Sequence, residues 1–572
     1  MDAHKAQITN IFNNATLVEV PFFQRSYVWK EDLWSRLIDD MEYVVKTNKP
    51  HFLGSIILKE GRKPLPGEAF TDCRTVVDGQ QRLTTFLIFL KVLCLKLNQR
   101  VMFDFQFRIM GQMIALRHGK NDIQAFEKVM SVTKPEILDN PEPASRIIEA
   151  YNYFVNNIDE TKMDIMKILM NTQFVRIDLD ADEDEQQIFD TINSLGVNLT
   201  TSELLKNYFF SRDTVSEYQE KWESVFEKDD DTKIYWDTEI ETGRIKRAMI
   251  DIFFDAYFQL FIQDKRYNIS NEDKIMYARV DNLAQSYQHF INNYCNGDKN
   301  VVLGPMNDYA CSFKDTFQPN FCDMNVPGTC GIERLNVIIF GLKTSTLIPY
   351  VLYIAKNVYD NAEKNKMYGI LESFIMRRII VHATTKNYNN LFTSFILNSV
   401  LDANSLANKL KFGKDLSTYI PTDDELKEGF KKSKLVNLQT KGIIYLLESH
   451  IRPITSSTAL LGFNNYSLEH LMPKKWRNNW DTNLTESQSR ERDSLLLTLG
   501  NLAIIPQSLN ASIRDASWNI KKRGKGNKPG LDVCAAGLVT VYDALQTEDW
   551  NEAEIVNRAE YLYNNAKLLW EI

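Results

Sequence analysis

The 572-residue sequence is poor in cysteine: it has seven, an odd number, and no two of them form a CxxC pair. A scattered odd set is typical of reduced thiols in a cytosolic protein rather than of a disulfide framework. The most closely spaced three, Cys311, Cys322 and Cys330, have neither zinc-site spacing nor a histidine beside them. We therefore expect structural cysteines and no zinc site.

Long hydrophobic runs and targeting signals are also missing. The longest apolar stretch, Leu335 to Ala355, is interrupted by Lys343 and Pro349, which favours buried helices over a membrane span. The first ten residues, MDAHKAQITN, lack the charged and apolar regions of a signal peptide. We expect a protein of the cytoplasm with no membrane partner.

Standard nucleotide-binding motifs are absent as well. No Gly-Lys pair is followed by Ser or Thr, so the sequence has no Walker A loop, and no GxGxxG follows a predicted strand. The composition, 44% hydrophobic and 25% charged, is that of an ordinary folded protein. Any nucleotide site must therefore be of another kind.

Positive charge is scarce overall but concentrated in one segment. The formal net charge is -8, yet between Pro473 and Pro529 eleven Lys or Arg residues accompany five Asp or Glu. That segment is therefore +6, and the remainder of the chain is -14. Such a patch is a candidate contact for the phosphate backbone of a nucleic acid. The alternative is a solvated basic helix end.

The residue pattern indicates an α+β multidomain protein with three predicted domains: residues 1–232, 233–450 and 451–572. The first mixes strand-like segments with an amphipathic helix over Glu31–Lys46. The middle one is predicted to be mainly α-helical, because apolar residues recur every three or four positions. An acidic run, Asp229–Asp231, marks the expected boundary between them. We expect the adjacent Arg377 and Arg378 to cap or bridge helices.

One short motif combines a strand, a turn and a helix start. Residues Arg74–Leu95, RTVVDGQQRLTTFLIFLKVLCL, predict a strand, a turn at Asp78 and Gly79, and a helix from Gln80. Free N–H groups and the positive end of the helix dipole attract anions at such a junction. Arg82 adds a cation, and Asp78 adds a carboxylate that could hold Mg²⁺ or orient a water. The alternative is an Asp-Gly turn with a structural arginine.

Two further segments carry polar residues where a core pattern would not require them. Pro21–Trp29, PFFQRSYVW, places Gln24 and Arg25 between a predicted strand and helix. Asp190–Asn207, DTINSLGVNLTTSELLKN, places Asn193 before a glycine turn and a capped helix.

These segments resemble the ParB/sulfiredoxin-related DGQQR domain of GmrSD-type, modification-dependent (type IV) restriction enzymes. The phosphorothioate-sensing Ssp nuclease is similar. The resemblance is carried by four blocks in this order: FQRSYVWKEDLWSRLIDDM, FLGSIIL, VVDGQQRLTTF and FDTINSLGVNLTTSELLKN. It implies a domain that binds and hydrolyses a nucleoside triphosphate, with GTP as one candidate. The expected nucleotide-binding residues are Gln24, Arg25, Asp78, Gly79, Gln81, Arg82 and Asn193.

His470 differs from the other six histidines because polar residues surround it in a recognisable order. The segment Tyr466–Pro473, YSLEHLMP, predicts a short strand that ends at Glu469 and His470. A second strand, LAIIP, follows Asn501, and the helix after it carries Asn510 in its first turn. Such a ββα unit can hold one metal ion beside one general base, as phosphodiester hydrolysis requires. The alternative is a packed or surface histidine.

The order E-H-x-x-P, G-N-L and a later Asn resembles the His-Me finger (HNH) nuclease domain at the C-terminus of the same enzymes. The resemblance implies that His470 is the general base, that Glu469 and Asn510 bind Mg²⁺ or Mn²⁺, and that Asn501 braces the loop after the histidine. Glu469 stands where many HNH enzymes have Asp, which lengthens the metal ligand. The resemblance also implies that Lys521 or Lys522 is the catalytic basic residue near the phosphate. The expected DNA contacts are Lys474, Lys475, Lys522 and Arg523.

The leading hypothesis is an NTP-regulated, Mg²⁺-dependent endonuclease in anti-phage defence that cuts modified double-stranded DNA. One alternative is a nucleotide-regulated DNA-binding or signalling protein with an inactive nuclease fold. Another makes the N-terminal domain the main enzyme, with the C-terminal unit only holding DNA. The complete set of Glu469, His470, Asn501 and Asn510 favours the nuclease. With one active site per chain, cutting both strands favours a homodimer or sequential nicking.

Overall fold

A computed structural model gives the fold of two units, each described by itself, Met1–Glu223 and Ser224–Ile572. The structure describes the chain except for residues 1, 14, 22–23, 25, 62, 65–67, 120, 143, 181–199, 211–213, 243–244, 412–417, 436, 454–455, 457, 508–514 and 572. The predicted middle and C-terminal domains both fall within the second unit, and their separation at residue 450 stays a prediction.

The first unit is built on a six-stranded sheet with the order β1-β8-β3-β4-β2-β7. The β1–β8 and β3–β4 pairs are antiparallel, whereas β3–β8, β2–β4 and β2–β7 are parallel. The short strands β5 and β6 form a separate hairpin. The prediction of a mixed α/β first domain is therefore confirmed. The strands are β1 (Asp2–Gln7), β2 (Thr16–Glu19), β3 (His51–Glu60), β4 (Asp72–Asp78), β5 (Arg108–Ile109), β6 (Met113–Ile114), β7 (Leu116–Arg117) and β8 (Thr172–Leu179).

Helix α3 lies at the centre of the core of this unit. Its side chains are buried on every side from Leu83 to Leu95, because its sequence is apolar all round rather than along one stripe. Helix α2 instead buries one face, as its amphipathic pattern predicts. The helices of the unit are α1 (Ile8–Ile11), α2 (Glu31–Thr47), α3 (Gln80–Lys96), α4 (Arg100–Phe107), α5 (Ile123–Ser131), α6 (Arg146–Asn157), α7 (Ile165–Asn171), α8 (Thr201–Phe209) and α9 (Val215–Tyr218).

The second unit is helical over most of its length, which confirms the predicted helical middle. It begins with α10 (Ser224–Phe226), α11 (Asp230–Asp237), the hairpin β9 (Glu239–Thr242) and β10 (Ile245–Ala248), α12 (Met249–Gln263), α13 (Asn271–Tyr277), α14 (Leu283–Tyr294), α15 (Asn300–Thr316) and α16 (Ile332–Asn336). It continues with α17 (Ile348–Asn357), α18 (Asn361–Ile380), α19 (Tyr388–Leu397), α20 (Ala403–Lys411), α21 (Asp423–Lys432) and α22 (Asn437–Ile451). Across the described ranges, no helix combines the length and apolar character needed to cross a membrane.

The C-terminal part of this unit contains a two-stranded antiparallel sheet in which Glu469 pairs with Ala503 and His470 with Leu502. Both strands were predicted from the sequence. The elements here are β11 (Tyr466–His470), α23 (Glu486–Leu495), β12 (Leu502–Pro506), α24 (Trp518–Arg523), β13 (Gly524–Lys525), β14 (Lys528–Pro529), α25 (Leu531–Cys534), α26 (Val539–Gln546) and α27 (Glu552–Leu569).

The two adjacent arginines of α18 are structural, as predicted. Arg377 is fully buried and donates to the carbonyls of Trp570 and Pro421 at 2.6 and 3.0 Å. Arg378 is equally buried and donates to the carbonyls of Tyr419 and Thr384, both at 2.6 Å. A buried guanidinium must satisfy its donors within the protein, and here it does so by joining helices to the chain segments around them.

Candidate functional site

The junction of β4 and α3 brings a carboxylate and a guanidinium together. Asp78 is the last residue of β4, and Gly79 follows it with a φ of +97° before the first turn of α3. Arg82 donates from Nη2 to Oδ2 of Asp78 at 2.5 Å, and both side chains are half-buried. The Nε atom of Arg82 is buried and has no hydrogen-bond partner among the described residues. This unused donor lies beside the first turn of a helix, where main-chain N–H groups also lack intrahelical partners.

Two glycines shape the surroundings of this pair. A Cβ atom on Gly54, whose φ is +119°, would lie 3.1 Å from Cδ and 3.2 Å from Nε of Arg82. A Cβ atom on Gly79 would lie 3.0 Å from Cγ1 of Ile56 on the neighbouring strand. Both positions require glycine, since a side chain there would be strained and crowded. Gly54 was not predicted as part of the site, because it lies in a different strand from the DGQQR motif.

Two of the predicted nucleotide-binding glutamines use their side chains to hold the main chain. Gln24 donates from Nε2 to the carbonyl of Val76 at 2.8 Å. Gln81 accepts from the N–H of Val28 at 2.9 Å and donates to the carbonyl of Ser26 at 3.2 Å. These bonds fasten the segment after β2 to β4 and α3. Their nucleotide-binding role stays a prediction.

Arg25 and Asn193, the other two predicted nucleotide ligands, lie outside the described residues. An unpredicted residue, Asp122, supports the same segment by accepting from the N–H of Tyr27 at 2.7 Å. Burial raises the pKa of Asp122 to about 6. No local sequence signal points to it, because the two bonded residues are 95 positions apart.

The groups at the β4–α3 junction fit a phosphate together with a divalent cation. The unpartnered Nε of Arg82 and the helix N-terminus are donors for phosphate oxygens. The carboxylate of Asp78 supplies the oxygen ligands that Mg²⁺ prefers. Nucleotide and Mg²⁺ binding at this junction stay predictions.

In the second unit, His470 ends strand β11 with its side chain half-buried. Its Nε2 atom is buried and has no hydrogen-bond partner among the described residues. Burial, followed by the positive charges of Lys474 and Lys521, lowers the pKa of His470 to about 4. The imidazole is therefore neutral at physiological pH and has a free nitrogen that can accept a proton.

Asn501 holds the loop that follows His470. It is fully buried, and its Oδ1 accepts from the N–H of Met472 at 2.8 Å and from the indole of Trp550 at 3.0 Å. Its Nδ2 donates to the carbonyls of Met472 and Leu496 at 2.8 and 2.9 Å. The side-chain amide of Asn501 therefore uses all its donors and acceptors, in bonds to the main chain of Met472 and Leu496 and to the indole of Trp550. This is the geometry expected of a residue that braces the histidine loop.

Glu469 and Lys521 form a buried ion pair behind the histidine. The ammonium of Lys521 contacts Oε1 of Glu469 and also donates to the carbonyl of His470 at 2.6 Å. Lys521 is fully buried and Glu469 nearly so, and burial raises the pKa of the glutamate and lowers that of the lysine. Lys521 therefore faces inward, toward Glu469, rather than toward a surface where DNA could reach it.

The described residues supply only part of the predicted metal centre. Oε1 of Glu469 contacts Lys521. A carboxylate oxygen is a hard ligand of the kind that Mg²⁺ takes. The other predicted ligand, Asn510, lies outside the described residues. Within the described ranges, no group of three His, Cys, Asp or Glu side chains could hold a metal ion. Metal binding at Glu469 stays a prediction.

Arg558, in α27, is a supporting residue that the sequence pattern did not reveal. Its Nη1 donates to three carbonyls, those of Leu499, Gly500 and Leu502, at 3.1, 2.8 and 2.8 Å. These residues flank Asn501, so that Arg558 fixes the segment carrying the loop brace. A single arginine in an amphipathic helix gives no signal of such a contact.

The +6 segment is less uniformly basic in three dimensions than in sequence. Four of its cations form ion pairs, namely Arg477–Asp493, Arg490–Glu486, Arg492–Glu552 and Lys521–Glu469. Lys522 donates to the carbonyl of Thr547 at 2.9 Å. Among the described residues of the segment, five cations are exposed and make no ion pair: Lys474, Lys475, Arg523, Lys525 and Lys528. These five supply the outward-facing positive charge.

Two protein-family models match parts of the chain. The family model described as GmrSD restriction endonuclease, N-terminal domain, matches residues 8–210. The model described as GmrSD restriction endonucleases, C-terminal domain, matches residues 420–565. The chain belongs to the GmrSD restriction endonucleases. No curated protein matches the chain.

Membership of the GmrSD family assigns the two sites to different domains of one enzyme type. The Asp78–Arg82 pair lies in the matched N-terminal domain, and His470 with its supporting residues lies in the matched C-terminal domain. The two matches together span more than half of the chain, and residues 211–419 lie outside both. The family supports DNA endonuclease activity in defence, with DNA as the partner.

Proposed function

We propose that this GmrSD family member is an NTP-regulated, Mg²⁺-dependent endonuclease that cuts modified double-stranded DNA with His470 as its general base. The observation that carries the proposal is the state of the His470 ring: neutral, with a buried and unpartnered Nε2. The brace by Asn501 holds the loop after His470 in one place.

His470 takes a proton from a water molecule as the water oxygen attacks the phosphorus of the scissile linkage. The bond from phosphorus to the leaving sugar oxygen breaks, and that oxygen takes up a proton from solvent. Glu469 and Asn510 are the residues that would hold Mg²⁺. When bound, Mg²⁺ stabilises the negative charge that builds on the phosphate. Lys474, Lys475 and Arg523 bind neighbouring phosphates.

The N-terminal domain would bind the nucleoside triphosphate, with GTP as one candidate. Asp78, Gly79 and Arg82 would form the phosphate site, while Gln24 and Gln81 keep the neighbouring segment in position. Arg25 and Asn193 complete the proposed nucleotide set. We propose a cytoplasmic enzyme that works as a homodimer or by sequential nicking.

The test incubates the wild type and His470→Ala with plain and modified phage DNA, with Mg²⁺, and with or without each NTP. We expect cutting by the wild type and by the control variant, but not by His470→Ala. His382→Asn is the matched control, because His382 is exposed in the same unit and its φ of +57° suits asparagine. If His470→Ala still cuts DNA, His470 is not the general base. A wild type that binds DNA but cuts none under any condition would favour an inactive nuclease fold.

The nucleotide part is tested separately with Asp78→Ala. We expect the loss of NTP turnover, or of NTP control over cutting, while nuclease activity without NTP is retained. Unchanged behaviour would mean that the Asp78 turn is structural.

A further inference from the structure

A small basic hairpin follows directly after the helix that carries Lys521. Strands β13 and β14 are antiparallel, with Gly524 opposite Pro529 and Lys525 opposite Lys528. The turn between them has two residues, and its first, Gly526, has a φ of +61° as a two-residue hairpin requires. The tip is therefore narrow and exposed.

The hairpin is anchored firmly at its base. A Cβ atom on Gly524 would collide with the carbonyl oxygen of Lys528, and one on Gly530 would collide with that of Lys522. In the preceding helix α24, Lys521 bonds the carbonyl of His470 at 2.6 Å. Only two residues, Lys522 and Arg523, separate the hairpin from Lys521, which bonds the carbonyl of the candidate base.

The cations of this region fall into two groups. Between Asp515 and Asp532 the chain has five Lys or Arg residues and no carboxylate. Lys521 and Lys522 bond inward, to Glu469, His470 and Thr547 as described above. The other three, Arg523, Lys525 and Lys528, are exposed and form no ion pair within the described residues.

Lys525 and Lys528 occupy directly opposite positions on the ribbon, so their side chains leave from the same face. Like charges at such positions repel each other and destabilise a hairpin. No carboxylate among the described residues pairs with either of them. An anion between the two ammonium groups would remove the repulsion, and a polyanion with regularly spaced phosphates provides one.

We propose that the β13–β14 hairpin is a phosphate clamp in which Lys525 and Lys528 grip the backbone of duplex DNA and set its position relative to His470. The proposal rests on the proposed function and adds a second point of attachment for the same substrate. Because the contact is with phosphate, it acts on DNA of any sequence. The anchoring through Lys521 makes the clamp a fixed reference for the scissile linkage.

The experiment measures binding of a 30-base-pair duplex by fluorescence anisotropy between 50 and 200 mM salt, in the full chain with His470→Ala to prevent cutting. The test variant is Lys525→Gln/Lys528→Gln. The matched control is Lys409→Gln/Lys411→Gln, which removes the same charge from two exposed lysines of α20. We expect the slope of log affinity against log salt to become shallower by about 0.9 for each clamp lysine. Across this salt range the double variant should lose about 10-fold less affinity than the parent.

Two further measurements separate a clamp from a structural role. Lys525→Arg/Lys528→Arg should retain the parent slope, because the charge is kept. The thermal midpoint of the Gln double variant should not fall, because like-charge repulsion is removed. The clamp would be overturned if the Lys525→Gln/Lys528→Gln variant had the same salt slope as the parent, or if the α20 control lost as much slope as this variant. Either result would leave the proposal of DNA binding by the protein standing. Failure of the parent to bind duplex DNA would instead overturn the proposed function itself.

Discussion

The ammonium group of Lys521 is hydrogen-bonded at 2.6 Å to the backbone carbonyl of His470, although the two residues lie 51 positions apart in the chain. The same ammonium contacts the carboxylate of Glu469. The buried ammonium of Lys521 therefore joins α24 to the end of β11. It bonds both His470, the candidate base, and Glu469, the residue before it. The position of His470 depends on this ion pair.

Replacing Lys521 with methionine should destabilise the second unit by ~3–5 kcal/mol, because Glu469 would be left buried without a partner. The double variant Lys521→Met/Glu469→Gln should recover part of that loss, since the unpaired charge is gone. Urea unfolding of both variants and of Glu469→Gln gives the coupling energy. A double variant no more stable than Lys521→Met would show that the pair does not account for the loss.

Asn501→Ala should cost ~2–4 kcal/mol, because it leaves the indole of Trp550 and the main-chain groups of Met472 unsatisfied in a buried site. We expect DNA cutting to fall further than stability alone explains, since the loop after His470 is released. The measurement pairs urea unfolding with cutting rates at a temperature where the variant is fully folded. Asn565→Ala is the control, because that amide bonds only within its own helix. Normal cutting by folded Asn501→Ala would contradict the bracing role.

The elements around both sites could be predicted because each has a local signal. The apolar segments correctly predicted β11, β12 and α3, and the Asp-Gly step correctly predicted the turn at Asp78. His470 and Asn501 could be singled out because family motifs keep them in a fixed order. Local periodicity and turn chemistry are properties of neighbouring residues, so a single sequence is enough to show them.

The supporting contacts could not be predicted, because they join residues that are distant in sequence. Nothing in the sequence near Lys521 indicates that its ammonium faces Glu469 rather than DNA. Arg558 reaches the carbonyls around Asn501 from a helix near the end of the chain. Gly54, in another strand, has no side chain to crowd Arg82. Such pairings depend on tertiary packing, which composition and spacing do not encode locally.

The pH dependence of cutting should reflect the lowered pKa of His470. With a pKa of about 4, the ring stays unprotonated at all higher pH values, and kcat/KM should remain flat between about pH 5.5 and 7.5. Lys474→Gln removes a positive charge that lowers this pKa, and the acid limb of the profile should move to higher pH. Lys475→Gln serves as the control. A wild-type acid limb centred near pH 6.5 would contradict the buried, neutral state of the ring.

The free energy of unfolding should also depend on pH through the lowered pKa of His470. The pKa of His470 lies below its ordinary value of 6.5, so the unfolded chain binds more protons than the folded one between pH 6.5 and about 4. The stabilising contribution of the neutral His470 ring to the free energy of unfolding is therefore fully present above pH 6.5 and is lost as the pH falls toward 4. Comparing the unfolding of the wild type and His470→Gln across this window isolates it. Identical pH dependences of the two proteins would show that the ring is not buried in the neutral form.

Gly54→Ala should weaken nucleotide binding without changing any charge. The new methyl group would lie 3.1 Å from Cδ of Arg82 at a φ of +119°, so the backbone is strained and the Arg82 side chain, which bonds Asp78, must shift. We expect a loss of NTP affinity comparable to that of Arg82→Gln, measured by calorimetry. Gly111→Ala is the matched control, because Gly111 also has a positive φ, +72°, but has no heavy atom within 4 Å of the added methyl. Equal affinities in the two alanine variants would mean that backbone strain, and not the displacement of Arg82, is responsible.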